Sequence, residues 1–360
     1  MYRKRNGYRK KIRYAAISIV LSLIFSSCID NPPTSPEVTD YQSYFYLVWE
    51  LYDEKYVGFD IKDVDWNAVY ALYSPMVAHV KRYEEMKELI ILLVGTLDDR
   101  NAWLCCTSYP DHTFHTYTST FETNYVDSVL MDLLEPWEFQ WDSSSSFGSM
   151  WGHCVIDTIP YFAIRHFEYY FTFQSFRDEL LKHVDAPGMI IDIRMSDGLS
   201  LVPSEQIPCV FTDQYGIAFF TQHRTGPEHN DLSPLSIHEV SPRSWAYTKP
   251  VVLLMGEQNI GAAEALASLM KQLSHVTVIG DTTGGSGNVP GYFAQRYWPL
   301  WNDWTITCPF ARVLTADTVL IEENGILPDI YVQATPADFL AGHDPVLEYA
   351  IEWIAEETAP

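Results

Sequence analysis

Apolar residues recur at helical spacing through the first part of the mature chain. Tyr44, Leu47, Val48 and Leu51 line one side of a helix, Asp65-Trp66-Asn67-Ala68-Val69-Tyr70 opens a second with Asp65 placed to cap it, and Glu88 to Leu97 supplies a third apolar stretch. Residues 41–104 therefore read as a small helical lobe. Residues 105–150 are polar, aromatic and serine-rich, with Ser143 to Ser146 in one run, and predict an irregular connecting segment. From residue 151 strand and helix signals alternate. Val155 to Ile164 is strand-like, Phe173 to His183 is helical, and Gly188–Arg194, Pro250–Met255 and Val276–Gly280 are short, largely apolar runs of the kind buried on both faces of a parallel sheet. Between the last two runs, Ala263, Leu266, Ala267, Met270 and Leu273 form one helical stripe. Strand, crossover helix, strand predicts an α/β core over 151–345, followed by a carboxy-terminal helix over 346–360. Ligands are then expected at the carboxyl ends of the strands.

The amino terminus follows another pattern. A basic stretch through Arg13 precedes an apolar run from Ala15 to Phe25, then Ser26-Ser27-Cys28. That run is short for a bilayer span and predicts a cleaved export signal over 1–27. Small residues directly before a cysteine resemble a bacterial lipobox, which predicts diacylation of Cys28. Residues 28–40, including Asn31-Pro32-Pro33-Thr34-Ser35-Pro36, then form a lipidated, extended tether. The expectation is an exported, membrane-anchored lipoprotein, periplasmic or on the outer-membrane surface.

Composition narrows the partners. With 360 residues, 47% of them hydrophobic, the chain can bury a large core. Its net charge is −24, and loss of the seven basic residues before Tyr14 leaves 16 basic against 47 acidic, or −31. Such acidity excludes nucleic acid as a partner class. Beyond Cys28, Cys105, Cys106, Cys154, Cys209 and Cys308 are odd in number and lack C-x-x-C spacing, which predicts mostly buried apolar fillers, with one disulfide left open. The histidines show no ligand spacing, so neither a metal nor a cofactor is expected.

Four segments carry a resemblance. Asn259-Ile260-Gly261-Ala262-Ala263-Glu264 follows a buried strand and opens a helix, where free N–H groups and the helix dipole favour an oxyanion. Gly280-Asp281-Thr282-Thr283-Gly284-Gly285 is a glycine-rich turn, Asn324-Gly325-Ile326-Leu327-Pro328-Asp329-Ile330 lies downstream, and Arg224 to Asp231 lies upstream. In this order they resemble the tail-specific, or carboxy-terminal processing, serine peptidases of the tricorn type, including lipoprotein members of the Bacteroidetes kind. The resemblance extends to Asp65-Trp66-x-Ala68-Val69-Tyr70 and so covers nearly all of the mature chain. It implies a ClpP/crotonase-like parallel-sheet core with a small amino-terminal helical lobe.

The same resemblance exposes substitutions. The family's nucleophile segment reads Ser-Ala-Ala-Glu, so Gly261 stands at the nucleophile. Its Asp-Gly-His-Thr base segment corresponds to Asp98-Asp99-Arg100-Asn101, so Asn101 stands at the base. A carboxamide hydrogen-bonds but does not shuttle protons near neutral pH. After the Ile-Ile-Asp-x-Arg strand, Gly198 is followed by Leu199 where the family has a second glycine that shapes the oxyanion hole. Glu322 stands where the family completes its site with an acid. The implied binding positions are Gly198, Leu199, Ala262, Gly284 and Gly285. The expectation is a pseudopeptidase that grips peptide or protein carboxyl termini without cleaving them. One alternative is an active serine peptidase using Ser286 in the glycine-rich turn. The other, suggested by Trp298, Trp301 and Trp304, is a structural or glycan-associated surface lipoprotein.

Overall fold

A seven-stranded sheet built from the apolar runs organises the computed structural model, which describes residues 41–106, 109–115, 123–146, 148–196, 200–243, 245–289, 297–299 and 304–359. The expected export signal, Cys28 and the tether lie outside the described residues. Strand order runs Ile330–Tyr331, Val276–Gly280, Val251–Met255, Met189–Asp192, Ile159–Ile164, Trp151–Ile156, Gln140–Trp141. Neighbours are parallel as far as Ile159–Ile164 and antiparallel beyond it. Every residue of Val251–Met255 and Met189–Asp192 is buried, as strands covered on both faces require. The fold is thus α/β with a mostly parallel central sheet.

One sheet face carries the carboxy-terminal helix Pro345–Glu357 and helix Asp127–Leu134, which share a core with Ile190, Val252 and Leu254. The opposite face carries helices Phe173–Leu181 and Ala262–Met270, packed on Ile191, Leu253 and Val278. A second, antiparallel sheet of Asn288–Val289, Ala311–Thr315, Gly216–His223 and Ser236–Val240 lies against helix Ala262–Met270. That helix is sandwiched, and all nine of its residues are buried. The single apolar stripe expected from sequence is therefore too narrow: the polar Glu264 and Ser268 are inside as well.

The amino-terminal region holds helices Tyr41–Lys55, Phe59–Lys62, Trp66–Tyr73 and Tyr83–Gly95 around an aromatic core of Phe45, Tyr52, Tyr56, Phe59 and Trp66. Asp65 caps the third helix by accepting from Ala68 N at 2.9 Å. The first helix buries Phe45, Val48 and Tyr52, while Leu47 points to solvent with 58% exposure, so the buried face is rotated from the predicted stripe. The expected strand Val155–Ile164 is a hairpin, folded back at Asp157 with φ +53°. The segment predicted to be irregular contributes Trp103–Cys106 and Tyr109–His115 to a third sheet with Trp304–Thr307 and Tyr297–Pro299. Its strands have no alternating apolar pattern and draw their order from pairing with a distant segment. Cys154, Cys209 and Cys308 are buried free thiols. The side chains of Cys105, Cys106, Trp298 and Trp304, and residue Trp301 itself, are outside the described set.

Candidate functional site

Gly261 sits at the turn from strand Val251–Met255 into helix Ala262–Met270, with φ +57° and ψ −110°. A residue with a Cβ resists that conformation, whereas glycine adopts it freely. The turn is fastened to the neighbouring strand end. Asn259 accepts from Gly256 N at 2.9 Å through its side chain, donates from Nδ2 to Ile193 O, and accepts Gly284 N at 2.9 Å through its backbone carbonyl. A strained strand-to-helix turn of this shape is what holds a nucleophile proud of a sheet. Here no side chain occupies it.

Glu264, one helical turn on, joins the pieces. Its Oε2 accepts from Gly261 N at 2.9 Å and Ser286 N at 3.0 Å. Its Oε1 accepts from Gly285 N at 2.7 Å and the Thr283 hydroxyl at 2.6 Å. Burial pushes its pKa up to about 7, against four donors that favour the carboxylate. The glycine-rich turn is also clamped from outside. Gly325, at φ +66°, lies where a Cβ would come within 2.5 Å of Thr283 O, and Ile326 N donates to Thr283 Oγ1 at 2.7 Å. Asp329 accepts from Val278 N at 2.9 Å and pairs with Lys271. The Gly-Ile-x-Pro-Asp signature is thereby accounted for as the brace of that turn.

Asn101 lies in the turn between helix Tyr83–Gly95 and strand Trp103–Cys106. Thr307 Oγ1 donates to its carbonyl at 2.7 Å, and Asp99 Oδ1 accepts its N–H at 2.9 Å. Its Nδ2 donates to Ser286 Oγ at 3.0 Å and to Ser286 O at 3.1 Å. Asn101 thus reaches Gly261 through Ser286 and Glu264. Glu322 joins from another side: its Oε2 accepts Asn288 N at 2.9 Å, and Asn288 Nδ2 donates to Asp99 Oδ2 at 3.2 Å. Of the positions named from sequence, Gly261, Ala262, Asn101, Glu322, Gly284, Gly285 and Ser286 belong to this one assembly. Gly198 and Leu199 lie outside the described residues.

Sequence reasoning missed Lys62, Tyr56 and Asn288. Lys62 Nζ lies 2.5 Å from Glu322 and 2.6 Å from Glu323, and Tyr56 donates to Asp99 Oδ2 at 2.7 Å. Burial raises the pKa of Glu322 to about 8, with Asp99 adding to the effect, and burial likewise raises Asp99. Burial alone would lower Lys62, but Glu322 and Asp99 hold it above its usual value, so it stays a cation. Among the described residues, Asn288 Oδ1 is buried beside them without a hydrogen-bond partner. The joining role of Glu264 did have a signal in the sequence, since it is the one charged residue of the helix Ala262–Met270.

Chemically, the described side chains of the assembly donate and accept hydrogen bonds around the Ser286 hydroxyl. Asn101 points an N–H at Ser286 Oγ, and Glu264 contacts Ser286 through the main-chain N–H. Among the described residues, Ser286 Oγ donates to no carboxylate or imidazole, and Ser286 is 2% exposed. The Arg224–Asp231 loop serves as a strap: Arg224 donates to Tyr56 O at 3.0 Å, and His229 pairs with Asp53 at 2.8 Å while stacking on Phe59.

Residues 158–332 match peptidase family S41, and residues 38–95 match the tricorn protease C1 domain. The chain is 28% identical over 187 residues to the carboxy-terminal processing protease CtpB of Bacillus subtilis and 28% identical over 153 residues to CtpA of the same organism. The matched stretches are 51% and 42% of this chain but only 36% and 29% of those relatives. Among solved structures, a protein of Parabacteroides merdae thought to be a peptidase superposes with a TM-score of 0.73 at 23% identity, covering 88% of this chain and 97% of that one. Mature CPAF complexed with lactacystin superposes with a TM-score of 0.63 at 10% identity, covering 87% and 97%. At those identities the superpositions speak for the fold.

Proposed function

Because the chain belongs to peptidase family S41, in its tail-specific and tricorn-type branch, we propose that it is a pseudopeptidase, binding peptide or protein carboxyl termini at the Gly261 turn without hydrolysing them. The observation that supports this reading is the pair of substitutions at Gly261 and Asn101, which hydrogen bonds through Ser286 and Glu264 join. Gly261 keeps the elbow and has no nucleophile, and Asn101 keeps the base position and has no basic atom. Losing either group costs a serine hydrolase several orders of magnitude in rate, and losing both leaves binding. Cys28 supplies a lipid anchor, and the binding face is then periplasmic or on the outer-membrane surface.

A second reading has one observation in its favour: Ser286 Oγ is the hydroxyl that Asn101 holds. In that reading Ser286 Oγ is the nucleophile, losing its proton to a water molecule as it attacks, with Asn101 Nδ2 donating to the oxygen. One experiment separates the two. The full chain is treated with a fluorophosphonate probe and digested for mass spectrometry, alongside anisotropy titrations with fluorescent peptides bearing a free or an amidated carboxyl terminus. We expect no labelled serine, and binding that prefers the free carboxylate. A probe adduct on Ser286 would overturn the pseudopeptidase reading, and equal or absent binding of both peptides would overturn carboxyl-terminal recognition. Release of the protein from membranes by Cys28→Ser tests the anchor.

A further inference from the structure

Away from the Gly261 turn, strand Trp151–Ile156 and the end of helix Phe173–Leu181 bring together His153, Glu179 and His183. Glu179 and His183 are four residues apart, so both face the same side of the helical turn. His153 Nδ1 and His183 Nε2 each lie 3.6 Å from the same atom, Glu179 Oε1. All three donor atoms fall within 4.8 Å of one another. A separation of 3.6 Å is long for a hydrogen bond. It is close to the ~3.3–3.4 Å that separates ligand atoms around a tetrahedral zinc with bonds of ~2.0–2.1 Å.

The surroundings fix this arrangement. Phe162, fully buried, has its ring nearly parallel to His153 at 5.9 Å and edge-on to His183 at 6.0 Å, so one core side chain sets both imidazole planes. The Lys182 ammonium takes the other carboxylate oxygen, Glu179 Oε2, at 2.6 Å and leaves Oε1 to the two rings. The three side chains are 16–24% exposed, so an ion has access from solvent.

We propose that His153 Nδ1, Glu179 Oε1 and His183 Nε2 form a three-ligand site for a divalent transition-metal ion of the zinc class, with the fourth position open to water or an external ligand. Two imidazoles and one carboxylate suit zinc, cobalt, nickel or copper and do not suit magnesium or calcium. The ion pins the helix to the hairpin on the face opposite the carboxy-terminal helix. Scanning for paired histidines misses it, because the close spacing is Glu179 to His183 and the third ligand comes from a strand.

The test uses the full chain stripped with chelator and titrated with cobalt(II). We expect one equivalent to give the intense visible bands of four-coordinate cobalt, displaced by zinc and not by a large excess of magnesium. His183→Gln and His153→Gln should each weaken binding by at least about tenfold, since even loss of a group outside the coordination sphere costs that much. Lys182→Ala keeps all three ligands and should bind as tightly or more tightly. Should His153→Gln fold poorly, zinc protection of His183 from diethyl pyrocarbonate is read on the unaltered chain. No cobalt spectrum at one equivalent, unchanged affinity in His183→Gln, or an unprotected His183 would each overturn the site.

Discussion

Two buried clusters in this molecule hold the same formal charges, one cation and two carboxylates, and are finished very differently. In the first, Arg194 bridges Asp192 and Asp344: Nη2 donates to the two aspartates at 2.7 and 2.9 Å, and Nη1 to Asp344 at 2.8 Å and to Asn124 O at 3.1 Å. Tyr161 donates to Asp192 at 2.8 Å, and Asp344 also caps the last helix through Leu347 N at 3.0 Å. In the second, Lys62, Glu322 and Asp99 meet beside Asn288 Oδ1, unpartnered among the described residues, with both carboxyls pushed up. The planar guanidinium of Arg194 forks onto both of its buried carboxylates, whereas the Lys62 ammonium pairs with Glu322 and with the exposed Glu323. The first cluster is a structural rivet; the second has the unsettled electrostatics typical of a site kept for chemistry or binding.

The comparison breaks first at its cations. Arg194→Met should destabilise the chain by about 3–5 kcal/mol, because it leaves two carboxylates buried and unpaired. Lys62→Met should cost about 1–2 kcal/mol, since burial already raises both carboxyls and favours their neutral forms once the ammonium is gone. Urea unfolding at neutral pH measures both, and equal losses would erase the distinction. Next comes pH. Glu322 and Glu264 have folded pKa values raised above 4.5, to about 8 and about 7, so their protonated forms favour the folded state. Their contribution is full below pH ~4.5 and is lost as pH rises through about 7 to 8. The melting temperature should fall from pH 6 to pH 9, and Glu322→Gln should flatten that fall. A wild-type melting temperature flat across this range would contradict the raised pKa values.

A smaller effect is expected at the elbow. Gly261→Ser places a Cβ at φ +57° and should cost about 1–2 kcal/mol. Combined with Asn101→His, it should restore labelling by a fluorophosphonate more readily than turnover, and calorimetry alongside the labelling assay checks both. The smallest effect is at the amino-terminal cap, where Asp65→Ala should cost about 1 kcal/mol in thermal unfolding without altering peptide binding.

Those magnitudes follow from features of unequal visibility. The parallel strands were legible because Val251–Met255 and Val276–Gly280 are continuous apolar runs, and the Gly261 turn was legible because a strand, a small-residue turn and a helix follow in order. The sheet containing Gly216–His223 and Ala311–Thr315 was not, because its strands pair across about ninety residues of chain and carry polar residues on one face. Ser286 could be placed near the cleft, but its hydroxyl partner could not be read from spacing, because Asn101 is 185 positions away. Lys62 gave no signal at all: among Asp60, Asp63 and Asp65 it reads as an ordinary surface charge, and only the fold makes it the counterion of Glu322.

Glu264 has a bearing on timing as well as on shape. The amides of Gly261, Gly285 and Ser286 all end on this one side chain. Their hydrogens should therefore exchange with solvent as a single cooperative event, governed by one opening of the joint between the crossover helix and the glycine-rich turn. A ligand that slows one of these three amides should slow all of them.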